Sequence, residues 1–146
     1  MTEGLVKTMK EWTVAADIDN IPVIAEQIGR ELETLNSSRK ALRQIQVSVD
    51  ELLTNIASYA YAPGTGMVTV QMAHDAGTGM VSITFIDSGV PYNPLEHEDP
   101  DVTLGAEERP VGGLGILIVK SKMNSVDYRY EDGKNILTIR KRIREE

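Results

Sequence analysis

The period of the apolar positions changes along the chain, and each change marks an element. Trp12, Val14 and Ala16 alternate with polar or small neighbours, which predicts an opening strand. Asp19 stands where it can cap a following helix, with Pro22 in the first turn, where a missing N–H is tolerated. Ile21, Ile24, Ala25, Ile28, Leu32 and Leu35 then mark one helical face. Asn36-Ser37-Ser38 breaks the pattern, and Ser37 or Ser38 can cap a second helix. Its buried stripe is Leu42, Ile45, Val49, Leu52, Leu53 and Ile56, and it ends before Pro63-Gly64.

The period then falls to two. Val68, Val70 and Met72 alternate in one strand and Val81, Ile83 and Phe85 in the next, with turn chemistry at Asp75-Ala76-Gly77-Thr78-Gly79. From Asp87 to Gly113 the chain is irregular and rich in Pro, Gly and acids; so long a loop in a compact domain is functional or disordered. A third helix follows Gly112-Gly113 and is apolar nearly all round, which predicts burial. Val126, Tyr128 and Tyr130 face Leu137 and Ile139 across Asp132-Gly133, a second hairpin signal. Hairpins dominate, so the sheet is expected to be mainly antiparallel with the helices on one face. That is an α+β fold, a two-layer sandwich in a single domain covering residues 1–146. Met67, Met72, Met80 and Met123 are expected in or near the core.

Composition mostly excludes. No apolar run approaches the roughly 20 residues that span a bilayer, and the N-terminus has no stretch of signal-peptide type, so a cytoplasmic protein is the simplest expectation. With no cysteine, disulfides and thiolate metal sites are ruled out. A net charge of −7 argues against direct nucleic-acid binding through a phosphate-neutralising surface. Arg140, Lys141, Arg142 and Arg144 do cluster, and read as a solvated strand end offset by Glu145 and Glu146. The acidic run Glu96-His97-Glu98-Asp99-Pro100-Asp101 lacks the glycine and terminal glutamate of a calcium loop and reads as a solvated loop.

Three separated motifs carry chemistry. In Glu51-Leu52-Leu53-Thr54-Asn55, Glu51 and Asn55 are four apart and share a helical face. An amide oxygen can ligate a hard cation, and a carboxylate can orient a nucleophile. Taken alone, the pair reads better as a solvated helix edge. In Asp87-Ser88-Gly89-Val90-Pro91-Tyr92-Asn93-Pro94, Asp87 ends an apolar strand, where a carboxylate at a pocket mouth can accept from an exocyclic amine such as adenine's. Gly89 would let the backbone approach a flat ring; the competing reading is an ordinary turn. In Gly112-Gly113-Leu114-Gly115-Ile116, glycines lead into a helix whose free N–H groups suit phosphates, or they simply ease helix packing. The phosphate-loop and dinucleotide patterns do not fit.

In this order and on these elements, the motifs resemble the N, G1 and G2 boxes of the GHKL ATPases, which include the histidine-kinase catalytic domains. Asp-Ser-Gly-Val-Pro-Tyr-Asn-Pro followed by Gly-Gly-Leu-Gly-Ile looks more closely like the small single-domain anti-sigma-factor serine kinases. The resemblance runs from about Trp12 to Ile139 and implies the Bergerat fold, with ATP held between the helical layer and a lid over residues 93–112. It implies Glu51 as catalytic carboxylate, Asn55 as Mg²⁺ ligand, Asp87 on the adenine amine and Gly89 beside the ring. Gly113 and Gly115 would contact the phosphates, joined by Arg109 just before the glycine-rich box. One departure is Tyr59, where many relatives carry histidine. The implied activity is transfer of the γ-phosphate of ATP to a serine or threonine of an antagonist protein, with reversible sequestration of a sigma factor, usually by a homodimer. The alternative is a non-catalytic, nucleotide-gated binding module of the same fold. A histidine-kinase catalytic portion is disfavoured, since neither His74 nor His97 falls on a predicted helix.

Overall fold

The computed structural model describes residues 6–96 and 113–144. The elements run β1 (Val6–Ala15), α1 (Ile21–Thr34), α2 (Arg39–Asn55), β2 (Met67–Asp75), β3 (Met80–Asp87), α3 (Gly113–Lys122), β4 (Ser125–Glu131) and β5 (Lys134–Arg142). The strands form one five-stranded sheet in the order β1-β2-β3-β5-β4, antiparallel at every pairing. One parity of each central strand faces the helices: Val68, Val70 and Met72, then Val81, Ile83 and Phe85, then Leu137 and Ile139. Against that row pack Ile24, Ile28 and Leu32 of α1, Ile45, Val49 and Leu52 of α2, and Ile116 and Val119 of α3. Burying each such side chain contributes about 1.5–3 kcal/mol, which is why the two layers hold with one sheet face open. On that open face, hydroxyl pairs bridge the strands, Thr13 with Thr69 at 2.9 Å and Thr84 with Thr138 at 3.0 Å. The α+β sandwich expected from the hairpins is what forms.

Local chemistry sets the element ends. Ser38 caps α2, its hydroxyl accepting from the Ala41 amide at 3.1 Å. The second hairpin turns at Asp132 and Gly133, both at positive φ (53° and 75°), the geometry of a two-residue primed turn. It sets the expected register, Tyr128 opposite Leu137 and Val126 opposite Ile139. The cap of the first helix is corrected: Asp19 lies inside a short 3₁₀ turn (Ile18–Asn20) that Asp17 caps, accepting from the Asp19 amide at 3.0 Å, and α1 itself starts from Asn20 with no side-chain capping bond. Asp17 already has extended backbone there, as a cap requires, whereas Asp19 lies inside the turn. Met67 is also corrected: it stands at the exposed start of β2 on the outward parity, 52% exposed, while Met72 and Met123 are buried. Leu117 and Ile118 of α3 are only half-buried, so the apolar girth of that helix is not fully covered by the described residues. No helix among the described residues is long and apolar enough to cross a membrane.

Candidate functional site

The inward row of β3 runs Val81, Phe85 and on to Asp87, so the strand delivers a carboxylate to the edge of the core with only 6% of it exposed. Across the β3–β5 ladder its partner is Asn135, equally buried and on the same row as Leu137 and Ile139. The Asn135 amide donates to Asp87 Oδ1 at 2.9 Å, and the Gly89 backbone N–H donates to the same oxygen at 2.9 Å. Among the described residues the other carboxylate oxygen, Oδ2, accepts nothing. Asn135 Nδ2 also donates to the Val90 carbonyl at 2.9 Å, while its Oδ1 accepts from the Tyr92 amide at 3.0 Å and from the Tyr128 hydroxyl. One buried side chain therefore fixes the carboxylate and the loop that follows it. Each neutral bond contributes only about 1 kcal/mol, but leaving its buried partner unmade costs about 1–3 kcal/mol.

These groups floor a pocket of about 670 Å³, its open mouth included. Phe85 and Leu137 line it from the sheet, Leu52 and Asn55 from α2, and Val90, Tyr92 and Pro94 from the loop. Tyr59 and Ala60 complete the helical wall from a π-helical turn (Ile56–Ala60) that continues α2 past Asn55. Such wide turns recur at functional sites because they re-aim side chains. Here the turn brings the Ala60 carbonyl to the Val90 amide at 3.0 Å. The same contact explains Gly89. A Cβ there would lie 2.3 Å from the Ala60 oxygen, so glycine is required by packing against the protein's own backbone. Gly89 does not itself line the pocket. Its role is the amide donated to Asp87.

Three tyrosines crowd this end of the pocket. Burial pushes the Tyr128 phenol above its ordinary range; a backbone bond from Tyr92 pulls it down, and the nearby Asp87, Tyr130 and Glu96 push it up. Tyr92 is raised by burial and then by Tyr59 beside it.

The other end belongs to helices. Glu51, one turn before Asn55 on α2, extends over the first turn of α3. A Cβ on Gly115 would lie 2.6 Å from Glu51 Oε2, so glycine there lets the carboxylate reach the helix start. Ser48 Oγ and Gln44 Oε1, further back on α2, are buried without partners among the described residues. Gly113 opens α3. Arg109 and most of the expected lid lie outside the described residues; of the lid, Asn93 caps a short turn over Pro94–Glu96. Three motifs distant in sequence thus converge. Asn55 and Asp87 share one pocket, and Glu51 joins the glycine-rich helix start to the same face of α2. Among the described residues no cluster of three His, Asp or Glu forms a self-sufficient metal site. A cation at Asn55 would complete its shell with phosphate and water oxygens, as Mg²⁺ characteristically does, so the residues present fit Mg-nucleotide.

Asn135 was not singled out from the sequence. Its signal was there: it occupies the inward parity of β5, two before Leu137, where a polar residue needs a partner.

Comparison with known proteins agrees with this geometry. Residues 14–141 match the model of the histidine kinase-like ATPase domain. The serine/threonine-protein kinase BtrW of Bordetella bronchiseptica is 27% identical over 95 residues, 65% of this chain and 66% of that protein. The serine-protein kinase RsbW of Bacillus mycoides is 19% identical over 131 residues, 87% of this chain and 81% of the relative. Among solved structures, the RsbU and RsbW domains of Rv1364c from Mycobacterium tuberculosis superpose with a TM-score of 0.66 at 15% identity. That match covers 94% of this chain, which spans only 34% of the solved one. The buried carboxylate, the helix-borne Asn55 and the glycine-led helix fall inside the matched span, and the chain belongs to the family of histidine kinase-like ATPase domains.

Proposed function

We propose that the chain is an ATP-dependent serine/threonine protein kinase of the anti-sigma-factor type, which phosphorylates an antagonist protein and sequesters a sigma factor. The observation that carries the nucleotide reading is Asp87: buried, held through Oδ1 by Asn135 and Gly89, and with Oδ2 left to accept an adenine amine. Asn55, on the helical wall of the same pocket, would hold Mg²⁺, which when bound neutralises charge on the phosphates. Glu51, placed over Gly115, would accept the proton of the incoming hydroxyl. Gly113, Gly115 and Arg109 would meet the phosphates. The kinases BtrW and RsbW support the reaction class, and the motif resemblance supports the partners, a sigma factor and its antagonist, engaged by a homodimer.

A second reading, a nucleotide-gated binding module, is favoured by one observation: Glu51 lies against α3 and does not line the pocket. Incubating the chain with γ-labelled ATP, Mg²⁺ and candidate antagonist proteins separates the two. Label on a serine or threonine of one of them is expected. Nucleotide-dependent binding of a partner with no transfer would make the module reading correct.

A further inference from the structure

The basic run at the end of β5 plays no part in the pocket, and the structure divides it. Arg140 turns to the open sheet face and pairs with Asp127 at 2.5 Å. Lys141 has the opposite parity; its Nζ donates to the Lys122 carbonyl, the last residue of α3, at 2.8 Å. The Ser38 amide donates to the Ile143 carbonyl at 2.8 Å, which pins the first turn of α2 beside the same strand end. Arg39, Lys40 and Arg43 of α2 thus join Lys122 and Lys141 at one pole of the molecule. The ladder between β3 and β5 runs from Asp87 opposite Asn135 at the pocket to Met80 opposite Arg142 at this pole. Seven residue steps make that about 24 Å.

This clustering is locally unfavourable. Lys122 sits at a helix C-terminus, where a cation is welcome, but Arg39, Lys40 and Arg43 crowd a helix N-terminus, where the peptide dipoles repel them. Burial, then Lys40, then Lys122 lower the pKa of Lys141, so the cations face one another. Among the described residues none of these five side chains has a carboxylate in ion-pair range, although the chain carries 22 acidic residues. Asp75, on the neighbouring hairpin, spends its carboxylate on the Gly77 and Thr78 amides. A sequence rich in acids that leaves its cations unpaired, at the wrong end of a helix, breaks local rules in the way functional surfaces do.

We propose that the pole formed by Arg39, Lys40, Arg43, Lys122 and Lys141 is a docking surface for an acidic segment of a partner protein. A short run of carboxylates matches its extent. A nucleic acid does not, because the phosphate backbone would run on from the pole onto a chain of net charge −7. The surface is separate from the pocket and stands whether or not the kinase reading holds.

The test uses the whole chain and a fluorescent hexaglutamate peptide, followed by anisotropy at low ionic strength. The peptide is expected to bind, and Lys40→Glu with Lys122→Glu is expected to weaken it by about tenfold or more. Lys134→Glu, at the first residue of β5 and so at the strand's other end, should change it less than about twofold, and ATP affinity should be unaltered in all variants. If charge reversal unfolds the chain, the neutral pair Lys40→Gln with Lys122→Gln takes its place and should weaken the peptide in the same direction. The proposal is overturned if the peptide does not bind, or if Lys134→Glu weakens it as much as the double variant. It is equally overturned if random duplex DNA or anionic lipid vesicles bind this pole more tightly than the peptide does at the same salt.

Discussion

The two ends of the candidate site, the pocket on the sheet and the helix face beside it, are built on opposite principles. At the sheet end Asn135 bonds Asp87, Val90, Tyr92 and Tyr128 at once, and Asp87 Oδ2 is left without a partner among the described residues. At the helix end Glu51 and Asn55 have no partner among the described residues, and Ser48 and Gln44 keep buried oxygens unpaired. A saturated network is rigid and presents one fixed acceptor, as recognition of a flat base requires. Unpaired groups on a helix can follow a phosphate through transfer. On the proposed function the contrast assigns base recognition and phosphate transfer to different layers, so substitutions at the two ends should fail in different ways.

The largest effect is expected at the helix end. Glu51→Ala should slow phosphotransfer by about 10²–10⁴, the contribution of a positioned general base. ATP affinity should stay within a few-fold, and the fold should survive, because Glu51 is only half-buried and lies outside the apolar core. If this variant transfers phosphate as fast as wild type, the assigned base is wrong and the division between layers loses its chemical half.

Asn135→Ala comes next and should act through stability. It takes one of two bonds from the buried Asp87 carboxylate and removes the acceptor of the Tyr92 amide, so urea denaturation should show a loss of about 1–3 kcal/mol. ATP binding should weaken as well, because Asp87 loses the bond that orients it. A loss below about 0.5 kcal/mol, the scale of an ordinary surface change, would mean that the sheet end is not preorganised by this residue.

The smallest effect is a slope with pH. The Tyr128 phenol titrates higher in the folded chain than its ordinary value of 10.0, so its contribution is fully present below that value and is lost as pH rises through the folded one. Stability measured from about pH 8 to 11 should decline at the alkaline end, and Tyr128→Phe should flatten the decline. An unchanged slope in the variant would assign it to another group.

How much of this was legible in the sequence depended on whether the signal was local. The hairpins, the Ser38 cap and the three motifs could be read because turn chemistry and periodicity act over a few residues. Asp19 does not cap α1 because it lies inside a 3₁₀ turn that Asp17 caps, a distinction of one turn that periodicity does not resolve. The reason for Gly89 was hidden because the surface it must approach is the Ala60 carbonyl, presented by a π turn that no apolar spacing announces. Asn135 was missed because its meaning lies across the ladder. Read along β5 it is one polar residue after a turn; opposite Asp87 it is the hub of the site.

Base recognition by Asp87 is the claim on which the rest depends, and calorimetric titration of ATP and GTP into wild type and Asp87→Asn tests it most directly. A carboxylate accepts from the 6-amino group of adenine and repels the 6-keto oxygen of guanine, whereas an amide can donate to that oxygen. Wild type should therefore prefer ATP. Asp87→Asn should bind ATP about ten- to a hundredfold more weakly, the worth of a charge-assisted bond, and should lose most of its preference over GTP. Equal ATP affinity in wild type and Asp87→Asn, with both chains folded, would contradict the account.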